Sequence, residues 1–128
     1  MAYKFPSQAW VDQLMLEINQ SAGYAEAAKT WEGDVLMVVT GHGAHYLDLW
    51  HGQCRSALYL VDFGSQKAEF SLSAALNTWQ HVLIGKLDPM QGMMKGQLKL
   101  EGNLIKVMQH MKAAQEMMLC AARVETEF

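Results

Sequence analysis

The chain has 128 residues and a formal net charge of −3 at pH 7, with 51% hydrophobic and 18% charged residues. This length is typical of a single domain with one core, so we expect residues 1–128 to form one domain. The negative net charge argues against binding to nucleic acid, which requires a basic surface. No window of about 18 consecutive apolar residues is present, which argues against a membrane-spanning helix.

Targeting signals and cysteines suggest a location. The N-terminal sequence lacks the apolar region of a signal peptide, and the last three residues are not a peroxisomal address. Cys54 and Cys120 are far apart and form no CxxC pair, as is typical of reduced cysteines. We therefore expect a cytoplasmic protein.

The first half of the chain predicts two helices and then four strands. Ser7 is a suitable N-cap for an amphipathic helix from Trp10 to Ile18, and the alanine-rich residues 22–31 predict a second, shorter helix. The apolar runs that follow are separated by short glycine turns, so the first three predict an antiparallel meander. The predicted strands are residues 35–40, 45–50, 57–61 and 68–72.

The second half predicts a helix from about Ser73 or Ala75 to Ile84, a short methionine-rich helix, and a fifth strand at the alternating residues 97–101. Asn103 is a suitable N-cap for one long last helix, and residues 123–128 are expected to fray. Strands and helices are largely segregated along the chain, which predicts the α+β class.

Three histidines close in sequence are the candidate metal ligands. His42, His45 and His51 lie around two predicted turns, with Asp48 nearby. Zinc normally requires three or four well-placed ligands, and no second cluster supplies them, so solvated turn histidines are favoured. His81 and His110 lie among polar neighbours on predicted helices and are expected on the surface.

A catalytic nucleophile and a cofactor motif are also hard to identify. Cys54 precedes Arg55, which could lower the pKa of the thiol, but no catalytic partner can be assigned from the sequence. The glycine groups match neither a phosphate-binding nor a dinucleotide-binding pattern. We expect no cofactor and no metal.

Methionine is the unusual residue of this chain. Ten methionines occur, and seven of them follow residue 89. They either fill the core between amphipathic helices or form a deformable lining for an apolar ligand, because methionine is flexible and polarisable. The periodicity of the sequence leaves both alternatives open.

The stretch from Gly85 to Gly102 resembles the sterol carrier protein 2 (SCP-2) domain family. The resemblance rests on residues 85–89 (Gly-Lys-Leu-Asp-Pro), Met90, Gly96, the strand at 98–100 and Gly102. Upstream, residues 70–73 (Phe-Ser-Leu-Ser) and the following helix with Trp79 are also similar, and the resemblance covers roughly residues 30–110.

This resemblance implies a five-stranded, largely antiparallel sheet covered by helices, with an apolar tunnel for a lipid between them. The ligand classes are fatty acids, acyl-CoA, phospholipids and sterols, and the domain is not an enzyme by itself. Transient membrane contact and a homodimer are compatible with it. The candidate lipid-binding residues are Trp79, Leu83, Leu87, Met90, Met93, Met94, Leu98, Leu100, Met108 and Met111.

Two alternatives from other classes remain open at this point. The first is a non-enzymatic interaction module, in which the surplus methionine and leucine would bury a homodimer interface and no ligand. The second is an enzyme that uses His42, His45 or Cys54.

Overall fold

A mixed five-stranded sheet forms the centre of the computed structural model, which describes residues 2–128. Its strand order is β4-β3-β2-β5-β6; β2–β3, β3–β4 and β5–β6 are antiparallel, whereas β5 runs parallel to β2. The predicted meander and the predicted α+β class are both confirmed. The strands are β1 (Tyr3–Lys4), β2 (Glu32–Val39), β3 (Gly43–Trp50), β4 (Gln53–Leu60), β5 (Phe70–Ala74), β6 (Lys99–Glu101) and β7 (Thr126–Glu127).

Side-chain caps fix the starts of several helices, and the sequence predicts those at Ser7 and Asn103. The side chains of Ser7, Asp88 and Asn103 accept hydrogen bonds from the backbone N–H three residues on, at 3.1, 3.2 and 3.2 Å. None of the described helices is long and apolar enough to cross a membrane. The helices are α1 (Gln8–Gln20), α2 (Ala22–Ala27), α3 (Leu76–Leu83), α4 (Pro89–Met94), α5 (Leu104–Gln109) and α6 (Met111–Arg123).

The main core lies between one face of the sheet and these helices. Strand residues that alternate along β2, β3 and β5 join buried side chains of α1, α3 and α6 in one cluster. A smaller cluster on the opposite face of the sheet contains Leu36, Val38 and Ala44. The two clusters follow from the period-two alternation of side chains along each strand.

Helix α1 lies along the edge strand β4 and pairs with its backbone. The side-chain amide of Asn19 donates to the Cys54 carbonyl at 3.0 Å and accepts from the Cys54 N–H at 2.8 Å. Three turns earlier, Gln8 donates to the Ala57 carbonyl at 3.1 Å and accepts from the Tyr59 N–H at 2.7 Å. Two side chains of one helix therefore satisfy outward backbone groups of the edge strand.

The predicted single last helix is wrong, because α5 and α6 are separated at His110. The ring Nδ1 of His110 donates to the Lys106 carbonyl at 2.9 Å, and its backbone has φ −122° and ψ 34°. The ring also contacts Trp31 edge-on, with 5.0 Å between centroids. A contact with a residue 79 positions earlier fixes this break, so local periodicity could not reveal it.

The predicted fraying of residues 123–128 is also wrong. β7 pairs in parallel with β1, and the Phe5 N–H donates to the Glu127 carbonyl at 2.8 Å. The indole N–H of Trp10 donates to the Thr126 hydroxyl at 2.9 Å, and Val124 is buried. The two ends of the chain thus close the same side of the core.

Candidate functional site

An apolar cavity of about 470 Å³ lies between the main core face of the sheet and the helices of the second half of the chain. This volume falls within the range of about 300–1,000 Å³ that is common for small-molecule sites. The strands β2, β3, β5 and β6 supply its floor through Val35, Leu49, Phe70, Leu72 and Leu100. These side chains lie at one end of the sheet, where β2 and β5 begin and β3 ends.

Methionines form much of the opposite wall. Met90 and Met93 come from α4, whereas Met111, Met117 and Met118 come from α6. Five of the ten methionines therefore line one cavity. Each can change its rotamers at low cost, so this wall can adapt to ligands of different shape.

An aromatic pair closes the cavity near the start of β2. Trp31 and Phe70 have ring centroids 5.1 Å apart, and the indole N–H of Trp31 donates to the Gly33 carbonyl at 3.0 Å. The Lys106 ammonium lies 5.2 Å from the Trp31 ring and is paired with Glu69 at 2.9 Å. This end is thus held by fixed interactions.

The cavity opens to solvent where its lining residues are exposed. These include Asp88, Gln115 and Leu119, of which Leu119 keeps 51% of its surface exposed. Asp88 is the one lining residue of the described chain that is charged at neutral pH, and its carboxylate also caps α4. Burial raises the pKa of Tyr24, which also lines the cavity, so its phenol stays neutral. The cavity therefore offers apolar surface within and polar groups at the opening.

The structure brings four of the ten candidate lipid-binding residues into the cavity wall: Met90, Met93, Leu100 and Met111. It places the other six elsewhere, in three different environments.

Trp79 and Leu83 lie in the filled part of the core and not in the cavity wall. Trp79 is fully buried, and its indole N–H donates to the Val38 carbonyl at 2.9 Å. The helix containing them was correctly predicted, but its apolar face packs against the far end of the sheet.

Leu87 and Leu98 pack against α4 at Gly92 and do not line the cavity. A Cβ on Gly92 would lie 2.8 Å from Leu98 Cδ1 and 3.3 Å from Leu87 Cδ2. Gly92 is therefore a close-packing position inside α4, whereas Met90 and Met93 of the same helix line the cavity.

Met94 and Met108 are exposed, at 84% and 58% of their surfaces. Each directly follows a lining residue, Met93 or Val107, and so projects from the other side of its helix. Helical spacing alone does not distinguish the inner from the outer side when both carry apolar residues.

Sequence reasoning missed the strand residues of the floor and much of α6. Val35, Leu49, Phe70 and Leu72 occupy alternate positions of predicted strands, so the signal was present. The sequence did not indicate which end of the sheet would remain unfilled. The other missed lining residues are Tyr24, Trp31, Asp88, Pro89, Val107, Ala113, Ala114, Gln115, Met117, Met118 and Leu119.

The histidine interpretation needs a correction at His45, which is fully buried and not a solvated turn residue. Its ring stacks on Trp10 with centroids 5.0 Å apart, and neither ring nitrogen has a hydrogen-bond partner among the described residues. Burial lowers the pKa of His45 to about 4, and the Ser7 backbone acts in the opposite direction. A neutral imidazole in an aromatic cluster is a packing residue.

The cysteines show no sign of a reactive thiol. Cys54 and Cys120 are both buried and unpaired. Burial raises the pKa of Cys54 to about 12, and the neighbouring Arg55 instead pairs with Asp48 at 3.0 Å. Residues 2–128 contain no group of three or more His, Cys, Asp or Glu side chains placed to hold a metal ion.

Fold and cavity define a class of protein: an α+β domain with an internal apolar site. The sequence model of the SCP-2 sterol transfer family matches residues 12–115. The chain belongs to this family, whose members bind and transfer lipids, as the resemblance at residues 85–102 predicts. None of the functionally curated proteins matches the sequence.

Solved structures agree with this assignment. A crystal structure of sterol carrier protein 2 is 36% identical, with a TM-score of 0.85, and the match covers 92% of this chain and 97% of that one. A conserved protein of Thermus thermophilus, described as possibly a sterol carrier protein, is 35% identical, with a TM-score of 0.83 and 94% and 90% coverage.

The fold also occurs as part of a larger enzyme. The sec-alkylsulfatase Pisa1 of a Pseudomonas species is 18% identical, with a TM-score of 0.58, and the match covers 94% of this chain but 16% of the sulfatase. This likeness concerns the fold alone.

Proposed function

We propose that this chain carries one lipid with a long aliphatic chain in the cavity between the sheet and helices α4–α6. The observation that supports the proposal is the apolar cavity of about 470 Å³ with its wall of five methionines. A fatty acid or a fatty acyl derivative is the favoured ligand, because its aliphatic chain needs no polar partner in the interior of the cavity.

Burial of hydrocarbon is the driving force. At about 0.8 kcal/mol per methylene, a chain of about sixteen carbons gains roughly 12 kcal/mol on leaving water. The loss of ligand freedom reduces this figure substantially. This burial energy does not depend on any side chain held at a fixed geometry, so we expect a broad range of ligands.

The polar head group would lie at the opening near Asp88, Gln115 and Leu119. Gln115 can donate or accept a hydrogen bond there, whereas the Asp88 carboxylate disfavours a second negative charge close by. We therefore expect an esterified or amidated acyl chain to bind more tightly than the free acid at neutral pH.

A matched pair of variants on α4 tests the proposal. Met93 lines the cavity, whereas its neighbour Met94 is 84% exposed. Met93→Arg should abolish binding of a fluorescent fatty acyl probe, because it places an unpaired charge in an apolar site. Met94→Arg should leave the affinity unchanged.

Circular dichroism of both variants reports whether the fold is kept. Equal affinities of two folded variants would contradict the assignment of the cavity. Native mass spectrometry of gently purified protein gives an independent test, in which we expect bound apolar cargo. A wild-type protein that carries no lipid and takes up none on addition would overturn the carrier function.

A further inference from the structure

The methionine wall of the cavity is chemically reactive as well as apolar. Five half-buried methionines line the cavity, namely Met90, Met93, Met111, Met117 and Met118. We call these five residues the methionine wall. A thioether sulfur is oxidised to a sulfoxide when it accepts one oxygen atom, and it does not have to lose a proton first. The methionine wall therefore surrounds any ligand of the cavity with oxygen acceptors.

Other sulfur atoms of the described chain are placed differently. Cys54 and Cys120 lie outside the lining, and burial raises the pKa of both thiols, so little reactive thiolate forms. Met94 and Met108 also lie outside the lining and are 84% and 58% exposed. An oxidant held in the cavity would meet the methionine wall, whereas an oxidant dissolved in water would meet Met94 and Met108 first.

A peroxidised acyl chain brings an oxidant into an apolar cavity. The hydroperoxide group of an oxidised unsaturated lipid is attached part of the way along the aliphatic chain, so it enters with that chain. Its O–H group is costly to bury without a partner, and a thioether sulfur is a weak hydrogen-bond acceptor. A hydroperoxide that donates to a sulfur of the methionine wall has its terminal oxygen beside that sulfur.

We propose that the methionine wall reduces a lipid hydroperoxide bound in the cavity to the corresponding alcohol. The inference rests on the proposed function, because the cavity must first hold the acyl chain. A sulfur lone pair attacks the terminal peroxide oxygen, and the S–O bond forms as the O–O bond breaks. The proton of that oxygen passes to the departing alkoxide, which leaves as the alcohol. The thioether loses an electron pair and becomes a sulfoxide, and the hydroperoxide gains that pair.

Proximity and the neutral nucleophile give this reaction two recognisable properties. Holding the two reactants in contact raises their effective concentration far above that of a dilute oxidant, so the bound hydroperoxide should select the methionine wall. The nucleophile carries no titrating proton, so the rate should stay constant between about pH 6 and pH 8. Reduction by a thiolate would instead accelerate as the pH rises.

Peptide mass spectrometry after reaction with two different oxidants locates the oxygen acceptor. The full chain, freed of ligand, is incubated with an equimolar amount of either a linoleic acid hydroperoxide methyl ester or hydrogen peroxide. The lipid hydroperoxide should oxidise the methionine wall at least about tenfold faster than Met94 and Met108. Hydrogen peroxide should oxidise Met94 and Met108 first, because they are exposed. The lipid alcohol formed should equal the sulfoxide formed.

Two sets of leucine substitutions provide matched variants, because leucine and methionine have similar volumes. Replacement of all five residues of the methionine wall by leucine should slow alcohol formation at least about tenfold. A variant with Met94→Leu and Met108→Leu should form the alcohol as fast as the wild type. Binding of the unoxidised fluorescent acyl probe shows whether each variant keeps its fold and its cavity.

Several outcomes would overturn the reduction. They are sulfoxide formed by the lipid hydroperoxide mainly at Met94 and Met108, a rate that rises with pH as a thiolate would require, and equal alcohol formation by wild type and the wall variant. The oxidation pattern of the wild type decides the question even where the wall variant does not fold. Wild-type protein that binds the unoxidised probe but forms no alcohol contradicts the reduction alone, whereas wild-type protein that binds no probe contradicts the carrier function.

Discussion

One face of the same sheet is filled at one end and hollow at the other. At the filled end, Phe5, Trp10 and His45 pack in a cluster, with 4.7 Å between the Phe5 and Trp10 centroids. At the hollow end, five methionines line a cavity of about 470 Å³. Rigid rings with few rotamers specify one arrangement, whereas flexible thioethers tolerate many. We infer that the first end supplies the stability that allows the second to remain unfilled.

The largest effect should come from truncation at the filled end. Trp79→Ala removes a fully buried ring and its hydrogen bond to Val38. It should lower the free energy of unfolding by about 3–5 kcal/mol. Met111→Ala, at the half-buried cavity wall, should cost less than about 2 kcal/mol, because fewer atoms pack around it.

Urea unfolding of ligand-free protein, followed by circular dichroism, measures both variants. Similar decreases in the free energy of unfolding for Trp79→Ala and Met111→Ala would contradict the expected difference in stability between the two ends.

The next effect concerns pH and arises from His45. Its pKa is about 4 in the folded state against 6.5 in the unfolded chain, so the unfolded state binds the proton more strongly. The contribution of neutral His45 to the free energy of unfolding is therefore complete above pH 6.5. The free energy of unfolding falls as the pH drops toward 4, by up to about 3 kcal/mol.

His45→Phe should remove this part of the pH dependence and raise stability at about pH 5, since it also removes two buried nitrogens without partners among the described residues. Urea unfolding between about pH 4 and pH 8 provides the measurement, with His81→Gln as an exposed control. An unchanged slope in His45→Phe would assign the acid sensitivity to other groups.

The smallest effect should come from filling the hollow end. Ala114 lines the cavity from α6, whereas Ala122 on the same helix is exposed and outside the lining. Ala114→Phe should weaken binding of a sixteen-carbon acyl probe about tenfold, or about 1.4 kcal/mol, because the ring occupies ligand volume. Ala122→Phe should not change it, and titration of probe fluorescence compares the two. Unchanged binding in Ala114→Phe would place the ligand outside this cavity.

The sequence predicted what local chemistry decides. The caps at Ser7 and Asn103 are set by residues within one turn, and the glycine turns fix the meander. The register of α4 was predicted in part, because Met90 and Met93 reach the cavity wall whereas Met94 does not.

The features that the sequence did not predict depend on long-range contacts. His45 begins a predicted strand beside a turn, where a solvated histidine was expected, yet the N-terminal residues Phe5 and Trp10 cover it. Residues 123–128 have no periodic pattern, yet β7 is fixed by β1 from the other end of the chain. The floor of the cavity depends on which end of the sheet the helices leave open, and that is a property of the assembled fold.

The contacts of α1 with β4 have a consequence for self-association. An exposed edge strand can recruit a strand of another chain, since its outward N–H and C=O groups are unpaired. In this protein the amides of Gln8 and Asn19 act as two substitute peptide groups, each of which donates and accepts along β4. The helix therefore blocks this route to continuous sheets between molecules. Any dimer of this chain should consequently form through side-chain surfaces and not by joining sheets at β4.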